Sequence, residues 1–160
     1  DFLSNVEGIS LMIVEMSEKL VGKGIRSLGT VIEELIVSAT DEIHVAAYLI
    51  TSTTLVDLLA GAAGRGIRVY VVVNDLGEQP AGVREKLLAA VKKFEHFTVR
   101  EFSRRNKGVL HAKVLVVDRN KAVVGSANFT YSGMTEGNYE IAVLLEGREA
   151  AIIARIIEEL

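Results

Sequence analysis

The chain has 160 residues, of which 49% are hydrophobic, and its 18 Lys and Arg against 21 Asp and Glu leave a formal net charge of −3. The absence of cysteine excludes disulfides and thiolate metal sites and suits a cytoplasmic setting. One proline among 14 glycines excludes a linker-rich or low-complexity chain and points to a compact α/β domain. From Asp1 to Val21, the residues Val6, Ile9, Ile13, Met16 and Leu20 fall close to a helical stripe, which predicts an amino-terminal helix jointed at Gly22-Lys23-Gly24. This stretch lacks the basic start of a signal peptide and has no apolar run of membrane length. Residues 1–24 are therefore expected to be helix and linker, a remnant of a longer protein, and residues 25–160 the domain proper.

Ser27 to Ala39 predicts a helix, with Leu28, Val31, Ile32, Leu35 and Ile36 on one side. Glu42 to Ile50 is a near-continuous apolar run, as expected of a strand covered on both faces. A helix from Thr54 to Ala63, stopped by Gly64-Arg65-Gly66, leads to a second buried strand, Ile67 to Val73, so the three make a βαβ unit. Gly82 to Phe94 is an amphipathic helix, Phe97 to Phe102 a short strand and Ser103 to Gly108 a basic loop. Strands at Val109 to Asp118, Lys121 to Val124 and Tyr139 to Leu145 follow, then a last helix from Arg148 to Leu160. The expected fold is α/β, a mixed, largely parallel β-sheet flanked by helices on both faces.

His111 and Lys113, two apart on a predicted strand, share a face and can converge on one ligand. Gly125-Ser126-Ala127-Asn128 suits a tight exit from the next strand, where backbone N–H groups can face an anion. Asn138 and Glu140 open the strand after it. The series His111-x-Lys113-x4-Asp118-x6-Gly125-Ser126-x-Asn128, then Asn138-x-Glu140, resembles the signature of the phospholipase D superfamily of phosphodiesterases, in order and spacing. The larger members carry two such motifs in one chain, and this chain carries one. The resemblance implies the superfamily's fold and metal-independent hydrolysis through a phosphohistidine.

Phosphodiester cleavage needs a nucleophile, a proton for the leaving oxygen and positive charge around the phosphoryl oxygens. His111 is expected to attack, Lys113 and Asn128 to hold phosphate oxygens with help from Gly125 and Ser126, and Glu140 to orient the imidazole. Asp118 and Asn138 are supporting residues, Asp118 anchoring its turn. Because one imidazole cannot both attack and donate, a homodimer with the site across its axis is expected. Tyr48 and Thr51 to Thr54 should form a further wall. His44 is expected to be buried structure and His96 to face solvent. No zinc-ligand spacing and no phosphate-loop pattern occur, so neither metal nor nucleotide cofactor is expected.

Arg100 to Lys121 holds seven cations (Arg100, Arg104, Arg105, Lys107, Lys113, Arg119, Lys121) against two anions, a balance of +5 that leaves −8 for the remainder. Such a run beside the motif favours a polyanion, with Arg104, Arg105 and Lys107 as nucleic-acid contacts. It joins the resemblance to small single-motif endonucleases in pointing to a nuclease cleaving DNA or RNA. The alternatives are a phospholipid-hydrolysing enzyme with the same machinery, or a nucleic-acid-binding or nuclease domain of a larger restriction, repair or defence protein.

Overall fold

A computed structural model describes residues 9–14, 26–104, 107–126, 128–129 and 140–160. Eight strands form one sheet in the order β2-β1-β8-β7-β6-β3-β4-β5. The strands are β1 (Ile9–Val14), β2 (Arg26–Ser27), β3 (Glu42–Ala47), β4 (Arg68–Val73), β5 (Phe97–Glu101), β6 (Lys113–Val117), β7 (Lys121–Gly125) and β8 (Glu140–Glu146). The helices are α1 (Leu28–Ser38), α2 (Thr53–Gly64), α3 (Ala81–Lys93) and α4 (Arg148–Glu159). As expected the sheet is mixed, but it is not largely parallel: only the β3-β4-β5 βα units and the short β1–β2 pair run parallel, and hairpin-type neighbours make the rest antiparallel. Parallel pairing joins β3 to β4, β4 to β5 and β1 to β2, whereas β3–β6, β6–β7, β7–β8 and β8–β1 pair antiparallel.

All six residues of β3 are buried, because the strand lies mid-sheet with helices over both faces. On one face Ile43, Val45, Ala47, Val71, Val73, Leu115 and Val117 meet the apolar stripes of α1, α2 and α3 in the main core. On the other, Ala46, Val72, Val116 and Ala122 receive Ala150, Ala154 and Ile157, spaced by four and three along α4. The Ser52 Oγ caps α2 by accepting from the Leu55 N–H at 3.4 Å.

The amino-terminal helix is corrected at its centre. Ile9–Val14, ISLMIV, is a strand that pairs along its whole length with β8, from Ile9↔Leu145 to Val14↔Glu140. Ile9 and Ile13 stand at helical spacing, but the run is also β-branched and apolar, and a partner strand distant in sequence decides its state. β1 is therefore part of the domain's sheet and not of a separate linker. The flanking residues 1–8 and 15–25 lie outside the described residues.

Candidate active site

Because β3 and β4 are parallel and β6 runs against β3, one edge of the sheet collects the carboxyl ends of β3 and β4, the start of β6, the end of β7 and the start of β8. Lys113 opens β6 opposite Ala47 and is only 8% exposed, so the main core covers its stem and its ammonium emerges at the edge. His111 lies before the strand begins and is exposed. The Lys113 Nζ stands 3.3 Å from both the His111 Nδ1 and the His111 carbonyl oxygen. Tyr48 backs the imidazole, with ring centroids 5.4 Å apart and planes 31° from parallel, and its N–H donates to the Ala112 carbonyl at 3.0 Å. The expected wall at Tyr48 is thus in place.

Gly125 ends β7 where a Cβ would stand 2.7 Å from the Ala142 Cβ and 3.0 Å from the Ile141 oxygen, so only glycine lets β7 and β8 close up. The Ser126 N–H then donates to the Ile141 carbonyl at 3.1 Å, and its Oγ accepts from the Ile141 N–H at 3.2 Å. That hydroxyl also donates to the Glu140 carboxylate. Glu140 therefore engages Ser126, whereas the contact at His111 Nδ1 comes from Lys113. Orientation of the imidazole by Glu140 is not made within the described residues of one chain. Asn128 is half-buried, with an Oδ1 that has no hydrogen-bond partner among the described residues. Its neighbour Phe129 bridges Ile50 in parallel, and the Thr51 hydroxyl donates to the Phe129 carbonyl at 3.5 Å. Through Phe129 the segment carrying Asn128 is tied to the loop after β3.

Fixed partial charge adds to this edge. Both βα units start their helices here, and a methyl on Gly82 would lie 3.4 Å from the Thr53 Cγ2, so the first turns of α2 and α3 adjoin. Two helix amino termini side by side favour an anion.

Asp118 anchors its turn, as the sequence suggests, and stands away from the phosphate-binding edge. It follows the far end of β6, five residues from Lys113 and so about 16 Å away at strand rise. There its carboxylate accepts from the Thr40, Asp41 and Glu42 N–H groups at 3.0, 2.8 and 3.0 Å and from the Thr40 hydroxyl at 3.1 Å. Burial alone would raise its pKa, but the hydrogen bonds from Thr40, Glu42 and Asp41 outweigh burial and hold it below the usual carboxylate value. Asp118 and Arg119 both have positive φ, 52° and 50°, as the tight β6–β7 turn requires.

The basic run is divided. Arg119 donates to Glu42 and Glu158, and Lys121 lies 3.7 Å from Glu146, all at the edge opposite His111. Arg100 stacks over Tyr70 at 5.2 Å. Arg104 is exposed and pairs with Glu101 at 2.7 Å, while exposed Lys107 lies in the loop leading to His111. Arg105 and Asn138 lie outside the described residues. His96 is exposed, and buried His44 takes Glu158 at 2.9 Å through Nε2. Glu42, His44 and Glu158 have potential ligand atoms within 4.8 Å of one another, but Arg119 already supplies the cation between the two carboxylates. Burial would raise the pKa of Glu158, and its bonds to Arg119 and His44 outweigh burial and lower it. This network ties α4 to β3.

Two buried amides escaped the sequence reading. Asn74 and Gln79, 5% and 3% exposed, flank the loop between β4 and α3. Asn74 Oδ1 accepts from the Leu110 N–H at 2.9 Å, next to His111. Gln79 Oε1 accepts from the Ile50 N–H at 2.9 Å, and its Nε2 donates to the Tyr48 and Asp75 carbonyls at 3.0 and 2.9 Å. The available signal was a polar residue ending the β-branched run Val71-Val72-Val73.

Among known proteins, the family model described as cardiolipin synthase, PLD-like domain, matches residues 32–160. The DISARM protein DrmC of Bacillus paralicheniformis is 45% identical over 51 residues, which are 32% of this chain and 21% of that protein. A phospholipase D of Rickettsia felis is 25% identical over 113 residues, 71% of this chain and 53% of that protein, so the chain spans about half the length of this relative. The crystal structure of Nuc from Salmonella typhimurium, a phospholipase D family member, superimposes with a TM-score of 0.73 at 23% identity, over 94% of this chain and 93% of that one. At that identity the likeness is one of fold, and it is nearly complete. With the family model covering most of the chain and the fold in agreement, the protein belongs to the phospholipase D superfamily.

Proposed function

We propose that the protein is a metal-independent phosphodiesterase, a nuclease acting through a phosphohistidine on His111 at a site shared by two copies of the chain. The observation that carries this is the His111–Lys113 pair at the sheet edge, 3.3 Å apart beside two helix amino termini. Among the described residues the Lys113 ammonium meets a ring nitrogen and a backbone carbonyl and no carboxylate, and an anionic phosphoryl oxygen is a stronger acceptor. Substrate therefore draws the ammonium off Nδ1, which takes up the ring proton and leaves the Nε2 lone pair free to attack phosphorus. The new P–N bond forms as the P–O bond to the leaving group breaks, and the departing oxygen takes a proton from the second copy's imidazole. Water then attacks the phosphohistidine, gives its proton to that second imidazole, and the P–N bond breaks. Asn128 holds a phosphoryl oxygen, and Ser126 joins it by turning its hydroxyl from Glu140 to the phosphate. Glu140, unused by the imidazole of its own chain, is available at the seam between copies.

Nucleic acid is favoured by Lys107 and Arg104 on the loop before His111 and by the helix termini at the site. A cytoplasmic setting goes with that substrate. One observation supports a second reading, phospholipid hydrolysis: Val109 and Ile141, 63% and 57% exposed, flank the site residues His111 and Glu140. Among the described residues no helix is long and apolar enough to cross a membrane. The test sets labelled DNA and RNA oligomers beside phospholipid vesicles, without metal, over a range of salt. Cleaved oligomers and intact lipid are expected, and head-group release with intact oligomers at every salt concentration would establish the second reading instead.

A further inference from the structure

Asn74 stands at the end of β4 with every polar group engaged. Its N–H donates to the Ala47 carbonyl at 3.2 Å, its carbonyl accepts from the Ser103 N–H at 3.0 Å, and its Nδ2 donates to the Glu78 Oε2 at 2.9 Å. That leaves Oδ1 for the Leu110 N–H, at 2.9 Å. A buried amide with both ends matched is rigid, because turning it would leave a donor facing a donor.

The Leu110 bond matters for its place. Residues 107–112 belong to no helix or strand. On either side of His111 the backbone is held by two hydrogen bonds, Leu110 N–H to Asn74 and Tyr48 N–H to the Ala112 carbonyl. The second is backbone to backbone. The first depends on one side chain, whose orientation is fixed by Glu78.

We infer that Asn74, held by Glu78, is a positioning residue for His111: it fixes where the imidazole stands relative to the Lys113 ammonium without touching substrate. The kinetic consequence rests on the phosphodiesterase reading, whereas the placement of the ring does not. A nucleophile displaced by about 1 Å loses on the order of 100-fold in rate.

Asn74→Asp keeps the acceptor for Leu110 but sets a carboxylate against that of Glu78, so the two must part or share a proton. Adding Glu78→Gln restores the bond with donor and acceptor exchanged. On bis-(p-nitrophenyl) phosphate at about pH 8, Asn74→Asp should lose roughly 10- to 100-fold in kcat with KM within about twofold. The deficit should shrink toward about pH 5, where the pair can share a proton. The double variant should recover to within about threefold of wild type. Independently of turnover, the chain's three histidines allow imidazole NMR signals to be assigned by substitution. Asn74→Asp should shift or broaden the His111 signals, leave those of His44 and His96 in place, and be reversed by Glu78→Gln. Folded Asn74→Asp protein with unmoved His111 signals overturns the inference. So does a disturbance that reaches His44 equally, since that marks a general loss of packing. If the wild type cleaves no phosphodiester, the functional reading fails and the NMR result alone decides the positioning.

Discussion

His111 and Lys113 differ in how the fold treats them, and the difference separates their tests. The imidazole is exposed on an irregular segment, so His111→Ala removes no core contact and should leave the melting temperature within a few degrees. Turnover should fall by at least about 1,000-fold, because the covalent step has no substitute. Substantial hydrolysis by that folded variant would place the nucleophile elsewhere. Asp118 should behave in the opposite way. Four hydrogen bonds converge on its carboxylate, so Asp118→Ala should cost about 1–3 kcal/mol in denaturant unfolding while the folded fraction keeps its kcat. Its pKa is lowered in the folded state, so its contribution is complete above the unfolded value of about 4 and disappears as pH falls through the folded value. Wild-type stability should thus converge on that of Asp118→Ala in acid, and an equal gap at every pH would show that the carboxylate's charge is not what holds the turn.

At the scale of elements, the junction of β7 with β8 tolerates least. Gly125→Ala would press a methyl to 2.7 Å from the Ala142 Cβ, next to backbone that cannot swing aside, and should cost about 1–3 kcal/mol and displace Ser126 from Glu140. A thermal scan and a kcat measurement on the same sample check both effects, and unchanged values would mean that the two strands can part without loss. Much of this level was legible in the chain. The stripe Leu28, Val31, Ile32, Leu35, Ile36 is buried as α1, and His111 and Lys113 do meet at one edge, although His111 precedes the strand that was expected to carry both. What escaped was set by partners remote in sequence. ISLMIV is a strand because β8 lies beside it, and Arg119 and Lys121 are neutralised by Glu42, Glu158 and Glu146, of which Glu42 and Glu158 lie 77 and 39 residues from Arg119.

For the molecule as a whole, the proposed chemistry needs two imidazoles, and each chain has one in the motif. Wild-type subunits mixed with His111→Ala subunits should therefore form heterodimers of little activity, and a monomer fully active at assay concentration would refute the shared site. Hydrolysis should persist in excess EDTA, with Lys113 and the helix termini balancing phosphate charge; activity lost to chelator and restored by magnesium or zinc would assign that work to a metal. The division of the basic run lowers the expected dependence on salt. Arg119 and Lys121 are paired at the far edge and Arg104 with Glu101, so among the described cations of the run Lys107 and Lys113 are the ones left to meet phosphate, and Lys107→Ala should reduce the log–log slope by about 0.7–0.9.

The pairing of β1 with β8 also has a consequence in time. Ile9 meets Leu145, and β8 lies between β1 and β7, so at synthesis rates of about 5–20 residues per second β1 emerges on the order of ten seconds before its neighbour exists. Contacts of such separation close late, after the β3-α2-β4-α3-β5 half has its local partners. Until then an apolar strand whose β8-facing edge is unpaired is offered to any other chain nearby. In the finished protein the same order should run in reverse, with β1 amides exchanging with solvent before those of β3 and β4. The edge of the sheet that is assembled last is then the first to open.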